Sequence, residues 1–310
     1  MPEENPTSES IPDEVGPGYL TQVAVRALVE WALKQGSLGG ARRFVGPSRA
    51  LQGTREHQRV QDARPPEYQR EAPVQRREWV GVHPVTINGR IDGLWPREDG
   101  WLIEEIKSVT PDWDGEADPL HWAQLRVYGY LVAQEKGLAT LDLQLTYARL
   151  DSGDLTVFRE PATAEALEAF YQSVWRPMAQ RLEAELAWRA VRNTSLRDLP
   201  FPFPQARPGQ EAMITAIEGA IHRQGRVFVE APTGIGKTIS ALLAAVRALG
   251  AGRVERIVYL TAKTSGRALA EEACDRLRER GGHLKTLTLN AATALCFTEA
   301  PRCDLRECPY

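Results

Sequence analysis

The stretch Ala231-Pro232-Thr233-Gly234-Ile235-Gly236-Lys237-Thr238 restricts the fold of this chain more than any other. A short apolar run, Val227-Phe228-Val229, precedes it, and an Ala/Leu-rich segment from Ile239 to Leu249 follows. Strand, tight loop and helix in that order are what a phosphate-binding loop requires. Gly234 and Gly236 let the backbone turn with its N–H groups inward. The new helix adds its unpaired N–H groups and the positive end of its dipole. Lys237 supplies a cation for the β- and γ-phosphates of ATP, and the Thr238 hydroxyl a ligand for Mg²⁺. Thr233 and Ile235 complete the loop. The first position departs from the strict pattern, with Ala231 where glycine is usual.

Around this loop the apolar pattern alternates. It predicts a helix over Gln210–His222, the strand at 227–229, the helix after the loop, a strand over Arg256–Leu260, a helix over Ser265–Arg280 and a strand over Lys285–Leu289. That alternation predicts a parallel α/β sheet. Residues 207–310 are therefore expected to be part of a P-loop α/β domain. Residues 193–206, rich in proline, are expected to be a linker.

With 310 residues there is room for a second domain upstream. Residues 1–18 are acidic and proline-rich with no apolar core, so they predict a disordered tail and not a signal peptide. No apolar stretch has the length of a membrane span, and a cytoplasmic protein is expected. The net charge of −3 excludes a global basic field, which leaves a local groove as the route to nucleic acid. Residues 19–192 then read as helix (19–33), helix (54–62), three strands (77–82, 85–95 and 101–108), helix (120–135), two strands (141–149 and 155–160) and a long helix (163–191) with a kink expected at Pro177.

Carboxylates mark this half. Asp92 closes a strand within Gly89-Arg90-Ile91-Asp92-Gly93, and the next strand carries Ile103-Glu104-Glu105-Ile106-Lys107. Glu105 and Lys107 share one face of a strand, and Glu104 faces away. Antiparallel pairing would bring Asp92 beside Glu105, and two carboxylates can hold Mg²⁺ and activate a water. Replacing Glu104 with alanine is expected to change little. Gln124 and Tyr128 lie one helical turn apart, and His57 sits on a predicted helix upstream.

Together these pieces resemble the RecB-type branch of the PD-(D/E)XK nucleases. The resemblance covers roughly residues 19–190. It implies a restriction-endonuclease-like α/β domain with His57, Asp92 and Glu105 as ligands for Mg²⁺ or Mn²⁺, Lys107 as catalytic, and Gln124 and Tyr128 as supporting or DNA-contacting residues.

The C-terminal half resembles the superfamily 2 helicases of the XPD/DinG type, which implies that residues 207–310 are the N-terminal part of a RecA-like helicase domain. The resemblance rests on the Pro-Thr-Gly-x-Gly-Lys-Thr loop, Phe201-Pro202-Phe203, Arg207, Gln210 and Tyr259-Leu260-Thr261. It implies that Arg207 and Gln210 contact the nucleotide and that the Tyr-Leu-Thr strand end grips the DNA backbone. Cys296, Cys303 and Cys308 cluster within thirteen residues among prolines and charges. Thiolates this dense suit a soft metal centre. The resemblance implies a 4Fe–4S cluster, with zinc as the alternative and free thiols as the plain one. Cys274 falls inside a predicted helix and reads as a packed or surface thiol.

No downstream Asp-Glu-x-His motif and no second motor domain follow, so the chain reads as the N-terminal portion of a longer enzyme. The combined expectation is an ATP-dependent DNA helicase fused to a nuclease that takes DNA with single-stranded ends. The alternatives are a helicase whose N-terminal domain is a catalytically dead DNA-binding module, and a P-loop NTPase unrelated to nucleic acid.

Overall fold

The structure is a computed structural model and describes residues 22–33 and 47–290. The chain divides into two compact units, with the boundary between Glu183 and Ala184.

The first unit is built on a six-stranded sheet. Its elements are β1 (Gln22–Ala24), α1 (Val25–Leu33), α2 (Pro47–Asp62), β2 (Gln69–Val80), β3 (His83–Arg97), β4 (Gly100–Val109), α3 (Pro119–Lys136), β5 (Thr140–Arg149) and β6 (Leu155–Thr163). A long helix, α4 (Ala164–Leu196), begins in it and runs unbroken through Pro177. The strand order is β1-β3-β4-β5-β6, and β2 pairs along the other edge of β3. β2–β3, β3–β4 and β5–β6 are antiparallel, whereas β4–β5 and β1–β3 are parallel.

The sequence explains the layers. Leu102, Ile103, Glu104, Glu105 and Ile106 are consecutive and all buried. A strand that reads this way is covered on both faces, as parallel neighbours in α/β sheets are. α2 covers one face through Val60, which packs with Ile106 and Ala148. α3 covers the other, and every residue from Ala123 to Ala133 except Arg126 is buried. It starts at Asp118, whose side chain accepts from the Leu120 N–H, with Pro119 at the first turn, and it ends at Gly137 in the left-handed conformation. α4 lies against α3, where Tyr130 and Tyr171 stack at 4.3 Å between centroids.

The second unit contains α5 (Gln210–His222), α6 (Lys237–Gly250) and α7 (Thr264–Glu279). Its core joins Leu242, Leu243 and Val246 of α6 to Ile214, Ala273 and Leu277, and also to Leu196 and Leu199. The expected linker is thereby corrected. Asn193 to Leu196 are the last turn of α4, and Leu196 and Leu199 are core residues, 0% and 2% exposed. Of the prolines that follow, Pro202 is buried, whereas Pro200, Pro204 and Pro208 are exposed.

A second correction concerns the expected strands at 227–229, 256–260 and 285–289. Among the described residues none of them enters a ladder. Val254, Ile257 and Leu284 pack inward on the helical core, whereas Phe228 (95%), Leu260 (86%), Leu287 (83%) and Leu289 (84%) are exposed. An apolar run signals burial of one side, but a ladder also needs a partner strand about 4.8 Å away.

Candidate active site

β3 carries two partners on one edge. Residues 93–97 pair with β4, and residues 86–88 pair with β1. The ladder forks where β4 parts from β3, and Asp92 stands at that fork, next to the Gly93–Glu104 pair. Its carboxylate takes over the missing ladder bond, with Oδ2 accepting from the Ile106 N–H at 2.7 Å. Gly93 leaves room for the Tyr68 ring beside the fork. A Cβ there would meet the Tyr68 hydroxyl at 1.7 Å.

Glu105 lies beside Asp92, 3% exposed. Its Oε1 accepts from Lys107 Nζ and from Gln124 Nε2, the latter at 2.9 Å. Gln124 Nε2 also reaches the Tyr128 hydroxyl at 3.3 Å. Glu105 Oε2 is buried and has no hydrogen-bond partner. His57, on α2, places Nδ1 3.9 Å from Asp92 Oδ2. The structure thus gathers Asp92, Glu105, Lys107, Gln124 and Tyr128 and sets His57 at the margin. Among the described residues, no three His, Cys, Asp or Glu side chains are already assembled as a metal cage. The orphaned Glu105 oxygen beside a second buried carboxylate nevertheless fits a hard cation, which takes oxygen ligands.

Burial pushes the Glu105 carboxyl up to about 7, against the pull of Lys107 and with a further push from Asp92 and Glu71. Burial raises Asp92 as well, opposed by the Ile106 N–H, His57 and Lys107. Burial also pushes the Tyr128 hydroxyl up to about 12, so it stays a neutral donor.

Glu104 points to the opposite face, as the strand parity requires, but it is not idle. It is fully buried and accepts from Arg64 Nε at 3.0 Å, Tyr68 Oη at 2.8 Å and Gln144 Nε2 at 2.8 Å, and also from Arg64 Nη2 and Thr146 Oγ1. Glu71 is the residue that the sequence reading missed. The β2–β3 register runs through Arg70–Gly93 and Ala72–Ile91, which leaves Glu71 opposite Asp92. It adopts φ 50°, a left-handed conformation unusual for a non-glycine residue in a strand. Gln61 Nε2 ties the two together, donating to Glu71 Oε1 at 3.2 Å and to the Asp92 carbonyl at 2.9 Å. Backbone strain leaves no signature in a lone sequence.

In the second unit, Gly234 and Gly236 of the loop take φ 82° and 88°. A Cβ on Gly236 would also meet Gln210 Nε2 at 2.4 Å. Gln210 is buried, and its Oε1 accepts from the Arg207 N–H at 2.7 Å. The Arg207 guanidinium donates to the Gly234 carbonyl. Lys237 Nζ turns back on the loop and donates to the carbonyls of Ala231 (2.8 Å) and Pro232 (2.9 Å). Thr238 Oγ1 stands 3.5 Å from the Tyr259 hydroxyl. Thr233 is exposed, and Ile235 is half-buried. A cavity of about 340 Å³ opens beside the loop, lined by Gly209, Gln210, Met213, Phe228, Pro232 and Ile235.

The family model of the PD-(D/E)XK nuclease superfamily matches residues 14–211. The chain belongs to that superfamily. After this nuclease domain comes a DEAD/DEAH box helicase domain, matched over residues 207–301. Among solved structures, the crystal structure of SSO0001 is similar at 20% identity and a TM-score of 0.35, over 53% of this chain and 78% of that one. No curated protein matches. The fold is thus a PD-(D/E)XK domain followed by a RecA-like helicase domain. Cys296, Cys303 and Cys308 lie outside the described residues. Cys274 is a partly buried thiol packed on the helical core of the second unit, and burial raises its pKa. Among the described residues no helix is long and apolar enough to cross a membrane.

The raised carboxyl of Glu105 in the nuclease domain has a measurable consequence. An acid whose folded pKa exceeds its unfolded value keeps its proton in the native state after the unfolded chain has lost it. Its contribution to native stability therefore falls as pH rises from about 4.5 to about 7. A cation held by this carboxylate would compete with that same proton. Mn²⁺ affinity is expected to climb with pH, by up to about tenfold per unit, and to flatten above about 7. Calorimetric Mn²⁺ titrations below and above that value check this, and a flat profile refutes it.

Proposed function

We propose that the chain couples a metal-dependent DNA-cleaving centre to an ATP-binding helicase domain. The observation that carries the nuclease reading is the buried, unpartnered Glu105 Oε2 beside Asp92, with Lys107 on the same strand face. Asp92 and Glu105 would hold Mg²⁺ or Mn²⁺, with His57 as the third ligand. The imidazole makes Mn²⁺ at least as good a fit as Mg²⁺. The cation supplies a Lewis acid and a water of lowered pKa. Lys107 orients that water or balances charge on the phosphate, while Gln124 and Tyr128 hold Glu105 in place. Incubation of the full chain with labelled single-stranded and duplex DNA in Mn²⁺ tests this reading. Cleavage that chelation abolishes supports it. Absence of cleavage on either substrate with either metal favours a DNA-binding module whose cutting centre is dead.

ATP binding is assigned to the loop of the second unit. The cavity beside Gln210 fits a nucleotide base, and Gly234, Gly236, Lys237 and Thr238 fit the phosphates and Mg²⁺. Lys237 must then leave the Ala231 and Pro232 carbonyls. Lys237→Ala is expected to weaken nucleotide binding about a hundredfold, since it removes the charge-assisted contacts of the loop's only side-chain cation. DNA cleavage should persist. Fluorescent-nucleotide titration checks the first and the cleavage assay the second. Unchanged nucleotide affinity would refute the assignment.

A further inference from the structure

α3 presents His121, Gln124 and Tyr128 at spacings of three and four, which places them on one helix face. Gln124 hydrogen-bonds Glu105 and Tyr128, so this is the face laid over the cleavage centre. His121 is one turn nearer the helix start. Lys107 lies two residues beyond Glu105 on β4 and pairs in register with Tyr147 of β5. The Tyr147 hydroxyl is 2.8 Å from His121 Nδ1. His121 therefore stands beside Lys107, on the side away from Asp92.

The hydrogen-bond chain favours one imidazole tautomer. The Tyr147 hydroxyl already accepts the Asp118 N–H at 2.9 Å. Its own proton is then free to go to His121 Nδ1, which acts as the acceptor. With that donation the ring proton sits on Nε2, since the bond made by one ring nitrogen sets the state of the other. The tyrosine is held rigidly, 1% exposed, stacked on Trp113 at 4.7 Å and edge-on to Phe158. His121 is half-buried, and its Nε2 has no hydrogen-bond partner among the described residues. Burial first, then the positive charge of Lys107 and Arg26, hold the ring neutral against Asp118, with its pKa lowered to about 4.

We propose that His121 is a substrate-contacting residue of the nuclease domain, whose neutral Nε2–H donates to a phosphate oxygen of the DNA strand lying over Lys107. The proposal rests on the nuclease reading above. A neutral donor has a use here. It can bind a phosphate oxygen without competing with the metal for negative charge and without giving up a proton at working pH.

The experiment compares wild type, His121→Phe and His121→Gln as full chains, each shown to be folded by circular dichroism. Gln places an amide donor near the Nε2 position, and Phe keeps the ring without a donor. A labelled single-stranded oligonucleotide is titrated in Ca²⁺ for Kd, and cleavage in Mn²⁺ gives KM and kcat. His121→Phe is expected to raise Kd and KM about tenfold, the loss of one hydrogen bond to a charged group. Mn²⁺ affinity should not change, and His121→Gln should recover most of the loss. Wild-type values for His121→Phe overturn the proposal. So does equal impairment of both variants, which would mark a structural histidine. A wild type that binds the oligonucleotide in Ca²⁺ yet cuts nothing in Mn²⁺ sinks the nuclease reading alone, and the Kd comparison still decides His121. A chain that binds no DNA overturns both.

Discussion

Lys107→Ala is expected to hold Mn²⁺ and to cut DNA about a thousandfold more slowly, within the range seen when one acid–base or charge-stabilising group is removed. The lysine is no metal ligand, but it donates to Glu105 Oε1 and draws the Glu105 carboxyl downward. Without it the carboxyl rises further, so metal affinity must be compared well above the wild-type value of about 7. Under those conditions the two readouts separate. Asp92→Ala serves as the contrast, since it would remove one of the two carboxylates proposed to hold the metal and should lose metal and cleavage together. Parallel metal titrations and single-turnover cleavage decide the matter. If Lys107→Ala cuts like wild type, the lysine is only a structural partner of Glu105.

The second large effect is on stability. Glu104→Ala is expected to cost about 3–5 kcal/mol, the usual result of removing one partner from a buried ion pair. It leaves the Arg64 guanidinium, half-shielded from water, facing a void together with Tyr68, Gln144 and Thr146, all of which now donate to Glu104. Arg159 would be disturbed as well, because it anchors Gln144 Oε1 through Nε at 3.1 Å. Glu104→Gln keeps the shape and one acceptor and should lose less. Urea melts of both variants test this. A melt of Glu104→Ala matching wild type would mean that water replaces the carboxylate without penalty.

That second expectation reverses the one drawn from strand parity alone. Parity correctly placed Glu104 away from Glu105. It did not say what covers the far face. A partial signal was present, because Leu102 and Ile106 on one face and Ile103 on the other put apolar residues on both sides of the strand, as in strands covered on both faces. The first unit was otherwise legible. Alternating and continuous apolar runs located β3, β4, β5 and α3, and the site followed from residue types on those elements. β2 began earlier than expected, at Gln69, because Arg70, Glu71 and Pro73 carry no apolar pattern. β1 is three residues long and is held by a parallel neighbour far along the chain. Local sequence does not encode such a partner. In the second unit the loop and helices were legible, while apolar content alone overstated the strands.

The bond from the Ile106 amide to Asp92 Oδ2 also bears on how tightly a cation can be held. A free carboxylate samples many rotamers, and a ligand that binds it must bear the entropy of stopping them. Here the Ile106 amide of the neighbouring strand restrains that rotation when the chain folds, so a cation held as proposed would meet a carboxylate already in place. Affinity at this centre therefore depends on how well the sheet is zipped beside it as well as on the number of charges. A mutation that loosens β3 from β4, remote from any ligand, would weaken the site through disorder alone.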